Sequence, residues 1–508
     1  MTQPSRAAQA LTTREAFRRV FPGVMVAMFL AAADQTILAS ALPTIAGALG
    51  GVADLSWVVV SYLLAATVAA PLYGYLGDRF GRRRMLLGAL AIFTLASVAC
   101  ALAPTFLALV VARALQGLGG GGLMTIAQAM LGEHVSPRER GRFAGYFATV
   151  FALASTSGPV LGGYLTEHWS WRAIFVLNVP LGLLAAALAL RVPAPPPHPR
   201  EGPFRPDLVG ALLFCAGTAT LLFALSSGGH RFAWWSWPML AFALGAVLAF
   251  AVLLAWERRH HDPVIPVHLL RLPAIARSDA VVMCFAAALF STVLYLPLYL
   301  QLGRGIGIGV SGVLLLPLTL AQVVSSAVTG RLVTHTGQVT IFPLVGLVLA
   351  TVAFLGLAAT VAGAPTAVVT GLTMLVGVGL GMVMPPTQVA VQAAAGRAAL
   401  GVATATISLS RAIGGAIGVA VLGAVLFAQM DRASAGTGAL LHRAMEGGAA
   451  YIAAMSTAER GELAAGVDAA YRVVFIVIAA ITAIGATIAA TVPRTQWDDE
   501  PGGPPGEP

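Results

Sequence analysis

Asp34, Arg113 and Arg411 lie well inside long apolar stretches of this 508-residue chain. A charge at mid-bilayer costs at least about 2.5–3.5 kcal/mol, so such a residue normally faces protein or water and has a task. Asp34 is the sole acid expected at depth. A carboxyl group so placed is able to load a proton from one side and release it to the other when access switches. A static ion pair between Asp34 and Arg113 accounts for the same residues. Arg411 likewise has two readings, as a substrate contact or as a donor to carbonyls of the facing half. Gln35, Gln116, Gln128, Gln322 and Gln388, with Tyr62, Phe147, Tyr295 and Tyr299, are candidates to line an apolar cavity. Interhelical hydrogen bonds explain the glutamines about as well.

A second charged constellation is the run Gly74-Tyr75-Leu76-Gly77-Asp78-Arg79-Phe80-Gly81-Arg82-Arg83-Arg84. It separates two apolar runs, each near the roughly 20 residues that cross a bilayer as a helix. So short a connection makes those helices antiparallel neighbours. Its arginines assign the turn to the cytoplasmic face, since short basic loops stay inside. Gly74, Gly77 and Gly81 allow close backbone approach, because no Cβ intrudes. Orientation alone explains Arg83 and Arg84 but not the acid, Asp78.

The elements that must position these residues are transmembrane helices. The chain is 58% hydrophobic and 10% charged, with mean hydropathy +0.85, whereas a soluble protein carries about 25% charged residues. This is the composition of an all-α polytopic membrane protein. Apolar runs fall near 20–49, 55–76, 85–103, 105–132, 143–166, 172–191, 208–228, 238–256, 279–301, 310–333, 341–362, 366–392, 401–428 and 469–492, which makes fourteen spans. The proline-rich stretch 193–207 reads as a linker, and 257–278 as a polar cytoplasmic one. In the outer segment 429–468, Thr437–Glu446 and a capping box at Ser456 and Glu459 suggest two short surface helices. Residues 1–19 form a polar cytoplasmic N-terminus, and the acidic tail within 493–508 is expected to be disordered.

All 30 basic residues are arginine. With the N-terminus inside, the inner segments hold 21 of them and the outer segments seven, as the positive-inside rule requires. The charge of +9 therefore orients the protein and is no nucleic-acid footprint. Cys100, Cys215 and Cys284 each sit within an apolar run, which argues against a disulfide framework.

The chain also repeats itself. Gly117, Gly119, Gly121 and Gln128 recur as Gly377, Gly379, Gly381 and Gln388, and Gly141 and Gly158 as Gly401 and Gly418, all at an offset of 260. Gly74, Leu76 and Gly81 recur as Gly330, Leu332 and Gly337 at an offset of 256. Two six-helix halves, 20–192 and 279–492, with two inserted helices in 208–256, account for this. The second copy of the charged turn lacks the acid.

These residues resemble the major facilitator superfamily, and within it the fourteen-helix drug:proton antiporters. Gly74-x-Leu76-x-Asp78-Arg79-x-Gly81-Arg82-Arg83 is similar to the family's loop motif. Arg113-x-x-Gln116-Gly117-x-Gly119 is similar to its proton-coupling motif, with Gly121 in place of an alanine. Gly158-Pro159-x-x-Gly162-Gly163 is similar to the fifth-helix antiporter motif, with Ala154 where an earlier glycine is common. Asp34-Gln35-Thr36-Ile37 through Ala41-Leu42-Pro43, and Ser170-Trp171-Arg172 with Asn178-Val179-Pro180, extend the likeness over the whole chain.

The resemblance implies a major facilitator fold and alternating access driven by proton influx, with export of small amphipathic compounds. It implies that Asp34 and Arg113 couple protons, and that Asp78 meets the N-terminus of the thirteenth helix near Ala398–Gly401 as a conformational latch. One intramembrane acid then implies one-proton exchange, with a cationic compound competing for Asp34. The proton gradient is the energy source and no cofactor is expected. The expected setting is a bacterial inner membrane, both termini cytoplasmic, the chain working as a monomer.

Export of an endogenous metabolite or lipid, and proton-linked import, share the same fold. An enzyme is not expected, because the nine histidines are scattered. ATP-driven transport by this chain alone is excluded, since a phosphate loop of the Gly-x4-Gly-Lys type needs a lysine.

Overall fold

A computed structural model describes residues 19–38, 41–49, 57–134, 146–147, 150, 153–154, 157–158, 161–192, 207–227, 232, 235–259, 267–306, 308–361, 363–396, 399–433 and 455–493. The first half contributes α1 (Phe21–Ile37), α2 (Leu42–Leu49), α3 (Trp57–Phe80), α4 (Arg82–Leu102), α5 (Phe106–His134) and α6 (Arg172–Ala189). The middle contributes α7 (Leu208–Ser227), α8 (Trp237–Glu257) and α9 (Val267–Arg271). The second half contributes α10 (Pro273–Leu302), α11 (Ile308–Val313), α12 (Leu316–Thr336), α13 (Ile341–Thr360), α14 (Thr366–Gly381), α15 (Met384–Ala395), α16 (Leu400–Ala433) and α17 (Thr457–Thr491). Among the described residues, eleven helices are long and apolar enough to cross a membrane, and Phe21–Ile37 and Val209–Ala224 are shorter apolar helices.

Helix boundaries depart from the hydropathy pattern where proline intervenes. The run 20–49 is not one helix: α1 ends at Ile37, and α2 starts beside Pro43, which has no amide hydrogen to continue a ladder. The run 366–392 is likewise divided, with Met382 and Val383 between α14 and α15 ahead of Pro385 and Pro386. The last span shows the opposite difference. Ser456 caps α17, its hydroxyl accepting from Glu459 N at 3.3 Å while Ser456 N donates to Glu459 Oε2 at 2.8 Å. The Ser456 hydroxyl, 2.7 Å from Glu459 Oε2, and then the Ser456 amide hold the Glu459 carboxyl below its ordinary range. The capping box does not start a separate surface helix, because α17 runs unbroken for 35 residues, about 50 Å at 1.5 Å per residue. Its first turns therefore project beyond the membrane. The expected helix Thr437–Glu446, the linker 193–206, the terminal segments 1–18 and 494–508, and Pro159 lie outside the described residues. So does part of the expected span 143–166, whose described residues are helical.

The internal repeat is a repeat of packing. A Cβ on Gly117 or Gly121 would run into the Tyr62 and Ala66 carbonyls of α3, and one on Gly119 would reach 2.6 Å from Phe93 N of α4. In the second half, Gly377 and Gly381 abut the Leu318 and Gln322 carbonyls of α12, and a Cβ on Gly379 would reach 2.8 Å from Ala350 N of α13. Each glycine-bearing helix is thus clamped between two others at van der Waals range, which is how helices associate tightly in lipid. Apolar cores form largely within each half: one joins Val20, Leu30, Tyr62, Phe93 and Ala185, another Phe285, Leu318, Phe354, Val376 and Tyr471. Between the halves, Tyr75 of α3 packs with Val402 and Ile407 of α16.

The inserted pair lies against this seam. Phe214 of α7 packs with Leu72 of α3 and Leu409 of α16, and Phe223 meets Trp57 at 5.4 Å. Asp207 joins the pair by accepting from Gly210 N at 2.7 Å and Trp256 Nε1 at 2.8 Å. Trp235 and Trp237, at the head of α8, are exposed, as suits an interfacial anchor.

The clamp predicts a matched pair of effects. Gly121→Ala and Gly381→Ala force a methyl against a neighbouring backbone and should each cost about 1–3 kcal/mol. Gly88→Ala, where nothing lies within 4 Å, should leave stability unchanged or raise it slightly. Thermal unfolding of the detergent-purified variants tests this; equal melting shifts at all three sites would contradict the clamp.

Candidate functional site

Asp34 and Arg113 meet at the centre of the first half. Arg113 Nη1 donates to Asp34 Oδ2 at 2.5 Å, and both side chains are 1% exposed. The same nitrogen donates to Gln116 Oε1 at 2.6 Å, and Arg113 Nε to the Val58 carbonyl at 3.1 Å. The guanidinium lies 4.3 Å from the Tyr62 ring centroid, a cation–π contact worth about 2 kcal/mol when desolvated. Asp34 Oδ1 accepts from Gln116 Nε2 at 2.9 Å and Asn178 Nδ2 at 2.8 Å. Ser97 Oγ closes the network, accepting from Gln116 Nε2 at 2.8 Å and donating to the Phe93 carbonyl at 2.8 Å.

Five helices contribute to this network. α1 supplies the acid, α5 the arginine and Gln116 one turn on, α4 Ser97, α6 Asn178, and α3 a carbonyl and an aromatic face. A buried ion pair is tolerable only when its remaining donors and acceptors are satisfied, and here both carboxylate oxygens are bonded. Chemically, protonating Asp34 would remove the counter-charge of Arg113 and break the charge-assisted bonds that depend on it.

Asp78 forms the second constellation, between the halves. Both its oxygens accept from Gly401 N at 3.1 Å, and Oδ2 also accepts from Val402 N at 3.3 Å. The carboxylate therefore sits on the first amides of α16, where the helix dipole favours negative charge by about 0.3–1 kcal/mol. Arg82 Nη2 donates to Asp78 Oδ1 at 2.6 Å. The approach requires glycine on both helices: a Cβ on Gly74 would lie 2.5 Å from Gly401 O, and one on Gly401 2.5 Å from Gly74 O. Gly81 has φ +94°, a conformation that L side chains rarely adopt, and turns the chain from α3 into α4. Its repeat partner Gly337 has φ +68° at the end of α12. Arg83 Nη2 donates to the Leu190 carbonyl at 2.6 Å, so it ties α4 to the end of α6. Arg79 is half-buried. On the same side of the molecule, Gln388 Nε2 donates to Gln128 Oε1 at 3.1 Å across the halves.

The chain matches a known family. The Major Facilitator Superfamily profile matches residues 24–214 and 205–419. The chain belongs to the major facilitator superfamily. It is 35% identical over 416 residues to a Mycobacterium tuberculosis protein named Uncharacterized MFS-type transporter Rv1877, covering 81% of this chain and 60% of that one. Multidrug transporter protein MdtP of Bacillus subtilis is 31% identical, covering 80% and 75%, and Efflux pump dotC of Dothistroma septosporum 34%, covering 80% and 70%. Among solved structures, the human organic anion transporter MFSD10 superposes with TM-score 0.64 at 16% identity, covering 93% of this chain and 99% of that one. The proton:xylose symporter XylE gives 0.62 at 13%, covering 96% and 98%. These two share the fold.

Several expected cavity residues of this superfamily member stand elsewhere. Tyr62 and Gln116 belong to the Asp34 network. Phe147 is buried in the first-half core. Tyr295 Oη donates to the Val419 carbonyl and Tyr299 Oη to the Val361 carbonyl, each at 2.9 Å. Arg304 Nε donates to Tyr299 Oη at 2.8 Å and its Nη1 to the Ala364 carbonyl at 2.6 Å. These aromatics are packed because each ring fills a helix–helix gap and each hydroxyl has a carbonyl in reach. Gln35, Gln128, Gln322 and Arg411 are half-buried. Within the expected span 143–166, Gly158 abuts Thr36 of α1, whose hydroxyl donates to the Ala154 carbonyl at 3.0 Å. Gly162 is buried and Gly163 half-buried, with nothing within 4 Å of a Cβ on Gly163.

Asp34 is not the sole acid at depth. Asp279 of α10 is 7% exposed, and its Oδ1 has no hydrogen-bond partner among the described residues. Hydropathy put it at the edge of a span, whereas α10 starts six residues earlier, at Pro273. Asn178 also escaped notice as a ligand of the carboxylate, although a lone amide in an apolar run signals a buried partner.

The contact at Asp78 predicts a shift in conformation. Asp78→Asn and Gly401→Ala should each cost the closed arrangement about 0.5–2 kcal/mol, a several-fold or greater gain in its opening. Labelling of Thr404→Cys, buried here, by a membrane-impermeant maleimide from the arginine-rich side should speed up accordingly in both backgrounds. Unchanged labelling rates would remove the latch role.

Proposed function

We propose that this chain exports small amphipathic compounds from the cytoplasm in exchange for protons, by alternating access of a cavity between its two halves. The observation that carries this reading is the Asp34 network: a buried carboxylate against one arginine, with hydrogen-bond partners Arg113, Gln116 and Asn178 all in the first half. Relatives named a multidrug transporter and efflux pumps support the direction of transport. Within the superfamily the motifs support a reading as a fourteen-helix drug:proton antiporter, and the arginine bias supports a cytoplasmic membrane with both termini inside.

On this reading, a proton arriving from outside neutralises Asp34 and frees Arg113 from its counter-ion. The Asp78 contact with Gly401 and the Gln128–Gln388 bond hold the cytoplasmic side closed while the outer side exchanges. Opening inward breaks both and lets Asp34 release its proton. One proton moving through about 100 mV supplies roughly 2.3 kcal/mol, near fortyfold in concentration. No cofactor takes part, and a monomer suffices.

Everted vesicles test it directly. Imposing a pH gradient, acid inside, should drive uptake of a lipophilic fluorescent dye, and a protonophore should abolish it. Asp34→Asn, which mimics the protonated carboxyl, should reduce gradient-driven uptake at least about tenfold while retaining dye binding. A mutant that transports at the wild-type rate refutes the assignment of the proton to Asp34.

A further inference from the structure

We infer that Arg411 is an anion-binding anchor, and that the exported compounds include lipophilic molecules bearing a carboxylate or a comparable acidic group. The inference deepens the export reading given above and rests on it for the direction of movement.

Arg411 stands in the twelfth position of α16, about 16 Å from that helix's start at 1.5 Å per residue. That depth is near the middle of a bilayer some 30 Å thick. It is half-buried. Among the described residues it makes no hydrogen bond, and the ion pairs there, Asp34–Arg113 and Asp78–Arg82, do not include it. Arg113, the other arginine described deep within a span, is satisfied by its carboxylate, and even Arg304, just past the end of α10, is held by three carbonyls and a phenol. An uncompensated guanidinium at that depth marks a site whose counter-ion arrives from elsewhere.

Its direction follows from helical periodicity. Residues seven apart share a helix face, so Arg411 lies in line with Thr404 and Gly418. Thr404 accepts from Gln392 Nε2 of α15 at 3.2 Å. Gly418 packs on α10, where a Cβ would lie 2.5 Å from Ala287 Cα. Leu409, on another face, packs toward the inserted helices. Arg411 therefore points toward α10 and α15, and Ile407 one turn earlier packs with Tyr75 of α3, so the guanidinium stands beside the seam between the halves.

The acid that sequence alone offered to a cationic compound is closed. Both oxygens of Asp34 are bonded to Arg113, Gln116 and Asn178, and the residue is 1% exposed. Asp279 does not neutralise Arg411. It lies on α10, and the two side chains form no salt bridge. The charge left without an ion-pair partner among these is positive, and a planar guanidinium suits a carboxylate, sulfonate or phosphate through paired hydrogen bonds.

Two dyes on one xanthene frame separate the charges: fluorescein, an anion at neutral pH, and rhodamine 6G, a cation. Fluorescence polarisation with the detergent-purified full chain should show fluorescein binding that Arg411→Gln weakens at least tenfold and Arg411→Lys largely preserves. Rhodamine 6G should bind Arg411→Gln more tightly than wild type, since a like charge is gone. Fluorescein affinity unaltered by Arg411→Gln overturns the anchor. Should that variant fail to fold, wild-type preference decides: rhodamine 6G over fluorescein overturns the inference, the reverse supports it. Fluorescein binding without proton-driven movement in vesicles faults the exchange reading and leaves the anchor standing.

Discussion

Hydrocarbon offers no counter-ion and no hydrogen bond, so each charge placed within this chain's membrane region must be answered by the protein itself or by a visitor. That constraint orders the interior. Asp34 and Arg113 are answered by each other, by two amides, a carbonyl and an aromatic ring, with the Ser97 hydroxyl bonded to the amides behind them, the whole drawn from five helices. Asp78 is answered by two backbone amides and one arginine. Arg304 gathers carbonyls where α10 and α13 end. Arg411 is the described exception, and an exception to so costly a rule is where a ligand's charge belongs.

The second constraint is distance. Those polar groups reach one another only because glycines let helix backbones nearly touch. Gly117 and Gly121 sit on carbonyls of α3, bringing Arg113 and Gln116 within reach of Val58, Tyr62 and Asp34. The equivalent Gly377 and Gly381 sit on carbonyls of α12, yet no charge pair was placed beside them. The two halves keep one packing rule and differ in chemistry. The first carries the ion pair and Asp78, while the second carries Asp279, with Oδ1 unpaired among the described residues, and Arg411 outside the ion pairs of the described residues.

What sequence disclosed follows from the same physics. Hydropathy located most helices, because a span must be continuously apolar, and the glycine spacing located the pseudo-repeat, because backbone contact tolerates no Cβ. Asp34, Arg113 and Asp78 stood out because a charge among apolar residues is rare. Hydropathy could not see that Pro43 and Pro385 divide two runs, or that the Ser456 cap belongs to one long helix and not to a surface piece. Nor could it sort aromatics: Tyr62, Tyr295 and Tyr299 read equally well as cavity wall or as packing. Carbonyl partners put the Tyr295 and Tyr299 hydroxyls in packing, and the Arg113 guanidinium over its ring does so for Tyr62. Asp279 was missed because a hydropathy edge is uncertain by one or two turns, which is the difference between a headgroup position and a buried one.

One helix joins the two constellations mechanically. α3 offers the Val58 carbonyl and the Tyr62 ring to Arg113 near one end, and Gly74 and Asp78 to α16 near the other. Pro71 lies between them, where the helix loses a backbone hydrogen bond and bends most readily. In the proposed cycle, neutralising Asp34 changes what holds Arg113 and hence what α3 is held to at its Tyr62 end. The Gly74–Gly401 contact leaves no slack for even a methyl group, so a small tilt of α3 about Pro71 cannot be absorbed there and must be taken up at the Asp78 bonds. In that cycle, coupling between the Asp34 pair and the seam needs no relay of side chains. It needs a stiff helix with one weak point, gripped by charge at both ends.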